Sequence, residues 1–171
     1  MSTGYVFCPR CATELVARTF GTQVRPACPS CGFVHFADPK VAVIALISCA
    51  DQVLLTLRGV EPERGKWSLP GGYMDAGEMP EGALRREMHE EMQLTLGALS
   101  FHSFLPMNGG RGIVIVYQAA PASGRCEPLQ GYDDVAKARW FARDSLPDKD
   151  QLAFDTTISL LAVWQASIPT V

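Results

Sequence analysis

From about residue 36 onward the chain alternates short apolar runs with amphipathic stretches. "PKVAVIALIS" and "QVLLTLRG" predict two strands joined by a turn at Ala50-Asp51-Gln52. The apolar core of the first, "VAVIALI" (41–47), reads as a buried strand and is far too short to span a bilayer. "GKWSLPGGYMDAGEMP" is rich in Gly and Pro and predicts a loop. The following "EGALRREMHEEMQL" predicts a helix, with Pro80 suited to its first turn and Ala83, Leu84 and Met88 available to face a core. "GALSFHSFL", "RGIVIVYQAA" and the short "ARWFA" predict further strands. "DQLAFDTTISLLAVWQAS" predicts a C-terminal helix with Leu160, Leu161 and Trp164 on its apolar face. Strands and helices mixed around one sheet predict a layered α/β or α+β domain over residues 36–171.

Residues 1–35 have a different texture. "CPRC" (8–11) and "CPSC" (28–31) are each C-x-x-C, and the sixteen residues between them fit a four-cysteine zinc site. Cys8, Cys11, Cys28 and Cys31 can surround Zn²⁺ tetrahedrally with no position left for water, which makes a structural site rather than a catalytic one. Pro9 and Pro29 pre-set φ in the two tight turns. So short a segment buries little core, and the metal would supply the folding energy. Disulfides or small packed hydrophobes are the alternative for these four. His35, so close to the second pair, is expected to pack rather than ligate. Cys49 and Cys126 have no partner at ligand spacing and are expected as buried thiols.

Composition bounds the partners. The 171 residues are 47% hydrophobic and 19% charged, with a formal net charge of −3, as in an ordinary soluble globular protein. An acidic balance argues against a broad nucleic-acid surface but leaves room for a nucleotide handled by a local cation or a metal. The N-terminal "MSTGYVF" has neither a basic n-region nor an apolar h-region, so the default expectation is a cytoplasmic protein with no membrane segment.

The charge pattern of the predicted helix is harder to place. "RREMHEEM" (85–92) sets Glu87, Glu90 and Glu91 at i, i+3 and i+4, on one helix face. Like charges at such spacing destabilise a helix by roughly 0.2–0.5 kcal/mol per pair. Either the face points into water or something positive sits among the carboxylates.

"GGYMDAGEMPEGALRREMHEEMQL" resembles the Nudix box, G-x5-E-x7-R-E-U-x-E-E-x-G-U with U a bulky aliphatic residue. Gly72, Glu78, Arg86, Glu87, Met88, Glu90, Glu91 and Leu94 stand at the required offsets, and "WSLPGG" resembles the usual approach to the box. Gln93 departs, standing where the pattern has Gly. It either takes the left-handed conformation at roughly 1 kcal/mol or ends the helix differently.

The resemblance implies a Nudix α/β/α sandwich with a mixed sheet, preceded by a zinc ribbon. It implies that Glu87, Glu90 and Glu91, joined by the main-chain carbonyl of Gly71, hold catalytic Mg²⁺ or Mn²⁺, with Glu87 as base or ligand-orienting residue. Glu78 and Arg86 would lock the loop onto the helix. The implied reaction is hydrolysis of the diphosphate linkage in a nucleoside diphosphate derivative. ADP-ribose or FAD is the expected substrate, because "WFARDSLPDKDQLAFDTTISLLAVW" is similar to the tail of ribbon-bearing members acting on those two. The products would be AMP and a second phosphate ester.

The S-Q-P-W-P-F-P type segment of NADH-cleaving members is missing from "SFHSFLPMNGGRGIVIV". Nucleoside triphosphate, NADH or RNA-cap hydrolysis is the alternative. A non-catalytic module that senses nucleotides, or binds nucleic acid or protein through the ribbon, is the alternative of another class. Asp133 and Asp134 either approach the metals or form an ordinary acidic turn. Trp67 and Phe33 are candidates to stack on a base, with core packing as the alternative, and Arg58 and Arg111 are candidates to meet phosphate. A homodimer is compatible with this reading.

Overall fold

The computed structural model describes residues 5–107, 109–110 and 112–167. Contacts divide the chain into Met1–Pro39 and Lys40–Val171.

In the first unit, strands β1 (Val16–Phe20) and β2 (Gln23–Ala27) form an antiparallel hairpin. Each C-x-x-C closes a knuckle of the same design. Ala12 N–H donates to Cys8 O in one, and Gly32 N–H to Cys28 O in the other. The amides of Arg10 and Cys31 point at the sulfurs of Cys8 and Cys28, 3.4 Å away in both cases. The knuckles bring four Sγ atoms together, with Cys8–Cys31 at 3.6 Å and Cys11–Cys28 at 3.4 Å. His35 packs its ring edge-on to Tyr5.

The second unit is built on β3 (Lys40–Cys49), which pairs antiparallel with β4 (Gln52–Arg58) and parallel with β8 (Gly112–Ala119). The short β5 (Trp67–Ser68) joins β4, and β6 (Gly71–Tyr73) joins β3. β7 (Ser100–Pro106) lies against β8, and β9 (Val135–Ala142) against β4. The sheet is therefore mixed. Helix α1 (Pro80–Met92) covers one face, where Val43, Ala45, Ile47 and Leu54 meet Ala83, Leu84 and Met88. Helix α2 (Asp155–Ala166) covers the other, where Leu46, Val53 and Leu55 meet Leu160, Leu161 and Trp164. Successive side chains of a strand point to opposite faces. A strand covered on both sides is therefore apolar at every position, which is why "VAVIALI" does not alternate.

Four details differ from expectation or settle an open choice. The Gly- and Pro-rich segment contains two short strands: Trp67–Ser68 pairs with β4, and Gly71 and Gly72 let the second lie flush against β3. β9 begins three residues before "ARWFA", paired to β4 through a register shift at Leu57/Arg58. Gln93 does take the left-handed conformation, at φ 53°; its amide donates to His89 O, and Leu94 N–H reaches Met88 O, so the last turn's carbonyls are satisfied. Cys49 and Cys126 are not free thiols: they form a disulfide, with Cα atoms 5.6 Å apart. The pairing spans 77 residues of sequence, beyond the reach of spacing arguments. It follows from topology, since parallel pairing puts Ala119 beside Ile47 and the chain leaving β8 emerges next to the end of β3. Among the described residues no helix is long and apolar enough to cross a membrane.

Candidate active site

Two glycines bring the loop before α1 against the sheet and the helix. Gly71 sits at φ 148°, and a Cβ there would lie 2.0 Å from Val43 O. A Cβ on Gly72 would meet the Glu87 carboxylate at 2.3–2.5 Å. Only glycine allows this approach, and it lets Glu87 rest on the loop backbone.

Arg86 then ties loop to helix. Its Nε and Nη2 donate to both oxygens of Glu78 at 2.7 and 2.9 Å, a bidentate pair, and Nη2 also reaches Tyr73 O. Nη1 reaches Glu87 at 2.9 Å and Glu90 at 3.1 Å. Glu78 in turn accepts the Asp75 amide. The guanidinium holds the Glu78 carboxyl well down, to about 2, with the Asp75 amide assisting. Charge-assisted, bidentate bonds are the strong ones, so this fork fixes the loop's shape.

Glu87, Glu90 and Glu91 lie along one side of α1 and line a cavity of about 600 Å³. Glu91 is only 8% exposed, and its Oε2 has no hydrogen-bond partner. Burial, followed by the charges of Glu87, Asp134 and Asp133, pushes its pKa up to about 8, while Arg58 pulls the other way. Burial likewise raises Glu87 against the opposing pull of Arg86. The main-chain oxygen of Glu91 accepts the Tyr132 amide at 2.8 Å, and Gly59 N–H donates to Asp134 O. These two bonds draw the β8–β9 connection in, so that Asp133 and Asp134 line the same cavity.

A buried carboxylate with an unmet oxygen, among four further carboxylates, is a costly arrangement in a protein alone. A hard divalent cation answers it, because such ions take oxygen ligands and reverse the local electrostatics. The donor set therefore fits Mg²⁺ or Mn²⁺. The oxygens do not close into a tight nest: among the described residues, the group whose donor atoms all lie within 4.8 Å of one another is Cys8, Cys11, Cys28 and Cys31.

Arg58 also lines the cavity. Its Nε donates to Pro62 O at 2.7 Å, and its guanidinium lies over the Phe154 ring. Trp67 does not line it; its ring packs edge-on to Phe141. Phe33 belongs to the unit that carries the four clustered cysteines, where Arg10 lies over its ring. Arg111 lies outside the described residues. Phe154 and Thr157 line the cavity and were missed from sequence. Both belong to the start of a helix whose apolar face gave no reason to look at its first turn.

A family model described as NUDIX domain matches residues 38–160. The chain belongs to the Nudix family. It is similar to the ADP-ribose pyrophosphatase of Methanocaldococcus jannaschii, 34% identical over 126 residues and covering 70% of each chain. It is also 28% identical over 141 residues to the NAD-capped RNA hydrolase NudC of Pseudomonas aeruginosa, covering 82% of this chain and 49% of that one. The chain thus spans about half the length of the NudC relatives it matches. The crystal structure of a Nudix hydrolase from Nitrosomonas europaea superposes with a TM-score of 0.80 at 25% identity, covering 94% of this chain and 90% of that one. The mixed sheet between helices is the Nudix fold expected from the box.

Glu78→Gln keeps the shape of the loop residue but removes the charge that Arg86 grips. Its thermal midpoint should fall a few degrees below wild type at pH 7. A depressed carboxyl stabilises above its ordinary pKa of 4.5 and loses that contribution as pH falls toward about 2. The gap between the two proteins should therefore narrow below pH 4.5. A gap that is absent at pH 7, or unchanged with acidification, would contradict this role.

Proposed function

We propose that this Nudix hydrolase cleaves, with Mg²⁺ or Mn²⁺, the diphosphate linkage of a nucleoside diphosphate derivative, with ADP-ribose or FAD the preferred class. The observation that carries the reading is Glu91, a buried carboxylate with an unpartnered oxygen, facing the same cavity as Glu87, Glu90, Asp133 and Asp134. The name of the M. jannaschii relative supports ADP-ribose.

In this reading Glu87, Glu90 and Glu91, with the Gly71 carbonyl, hold the cation. When bound, it would supply Lewis-acid polarisation of a P–O bond and a water of lowered pKa. The chain's own groups do the rest. Arg86 holds Glu87 and Glu90 in place through Nη1 and fixes the loop through Glu78. Glu87, oriented by Arg86 Nη1, is suited to take a proton from the attacking water, and Asp133 and Asp134, which line the same cavity, are alternatives. Arg58 meets a phosphate oxygen. Water adds to one phosphorus, the bridging P–O bond breaks, and AMP and a second phosphate monoester leave. The NudC relatives favour a second reading, the same bond cleaved in an NAD-capped RNA.

Product chromatography after incubation with Mg²⁺ and ADP-ribose, FAD, NADH, NAD-capped RNA and nucleoside triphosphates separates these readings. AMP from ADP-ribose or FAD is expected, and Glu87→Gln should lower that turnover by about 10²-fold or more while the protein stays folded. Cleavage of none of the panel, with Mn²⁺ also tried, would sink the diphosphatase reading.

For the first unit, the proposal is one structural Zn²⁺ on Cys8, Cys11, Cys28 and Cys31. Tetrahedral Zn–S bonds of about 2.3 Å imply sulfur–sulfur separations of about 3.8 Å, close to the 3.4 and 3.6 Å observed. Native mass spectrometry should find one zinc per chain, lost in Cys28→Ser together with the ordered ribbon. A metal-free wild-type protein with an intact ribbon would refute the site.

A further inference from the structure

Phe154 immediately precedes α2, and its backbone sits at φ 64°, ψ 136°. For a residue with a Cβ this borders the region that glycine alone reaches freely, and such strain persists only where the surroundings impose it. The position is also one where helices ordinarily place Ser, Thr, Asp or Asn to accept an amide hydrogen bond. Phe154 makes no side-chain cap. The residue thus strains the backbone and leaves the helix start without the cap a polar residue would give.

The position puts Phe154 in the wall of the acidic cavity. The Arg58 guanidinium lies over that ring, 5.0 Å from its centroid, and is itself fixed by its bond to Pro62 O. A cation set over the ring and tied to Pro62 O restrains it, so the ring loses little freedom when a flat ligand settles on it. Strain, a missing cap, a place in the cavity wall and a cation over the ring are separate observations, and all concern one residue.

We propose that Phe154, backed by Arg58, is the platform on which the planar base of the nucleotide stacks, and that it is a specificity-determining residue of this enzyme. The inference rests on the reading of the cavity as a nucleotide diphosphatase site and deepens it. A cavity of about 600 Å³ accommodates base and diphosphate together. Stacking accepts any base, because each has a π face. The platform therefore selects base-bearing diphosphates over those lacking a base, with little preference among bases.

The test is calorimetric binding of AMP and of ribose 5-phosphate to the full chain with Mg²⁺, for wild type, Phe154→Gly and Phe154→Trp. Phe154→Gly should weaken AMP about tenfold or more, as expected for loss of a stacking partner. Binding of ribose 5-phosphate should be unchanged, and Phe154→Trp should keep AMP affinity. Glycine relieves the strained φ, so the variant is expected to fold. Should it not, Phe154→Leu, which keeps bulk without a π face, carries the same expectation.

Unchanged AMP affinity in Phe154→Gly would overturn the proposal. So would equal weakening of both ligands, or no AMP binding to wild type at millimolar concentration. Because the readout needs no turnover, it is separate from the product assay: base-dependent AMP binding in a chain that cleaves no diphosphate would keep the platform and remove the diphosphatase reading.

Discussion

The guanidinium of Arg86 is the junction on which the site depends. One planar group holds both oxygens of Glu78, the carbonyl of Tyr73 and one oxygen each of Glu87 and Glu90. The loop, the edge of the sheet and the helix are thereby set against one another by a single side chain with five donors in a fixed fork. Gly71 and Gly72 make this possible by removing the side chains that would hold the loop away from β3 and Glu87. With the loop so fixed, the glutamates of α1 have a defined wall to face. Their mutual repulsion, which a solvated helix would merely tolerate, is what the proposed cation would relieve.

Much of this was legible in the sequence, for identifiable reasons. α1 declared itself through Pro80 at its first turn and through Ala83, Leu84 and Met88 beneath its carboxylates. The four-cysteine cluster was readable because ligand spacing within a knuckle is local. The sandwich followed from apolar strands interleaved with two amphipathic helices. What escaped depends on distance in sequence or on backbone geometry. Cys49 and Cys126 meet only because β8 runs parallel to β3. Phe154 stands out through its φ and its place in the cavity wall, neither of which a hydrophobic pattern encodes. That Asp133 and Asp134 line the cavity follows from the amide bond from Tyr132 to Glu91, which sequence spacing does not show.

The Cys49–Cys126 disulfide joins the end of β3 to the connection that carries Asp133 and Asp134. That connection is thus held at both ends, by the bridge near its start and by Glu91 near its close.

In the proposed reading, the acidic cavity holds a divalent cation through Glu87, Glu90 and Glu91. Anomalous diffraction from crystals soaked in Mn²⁺ tests it most directly. Manganese should be found bonded to carboxylate oxygens of the three glutamates, with Glu91 Oε2 no longer unpartnered. Crystals that take up manganese elsewhere, while the three carboxylates stay unliganded and Glu91 Oε2 stays unpartnered, would contradict it.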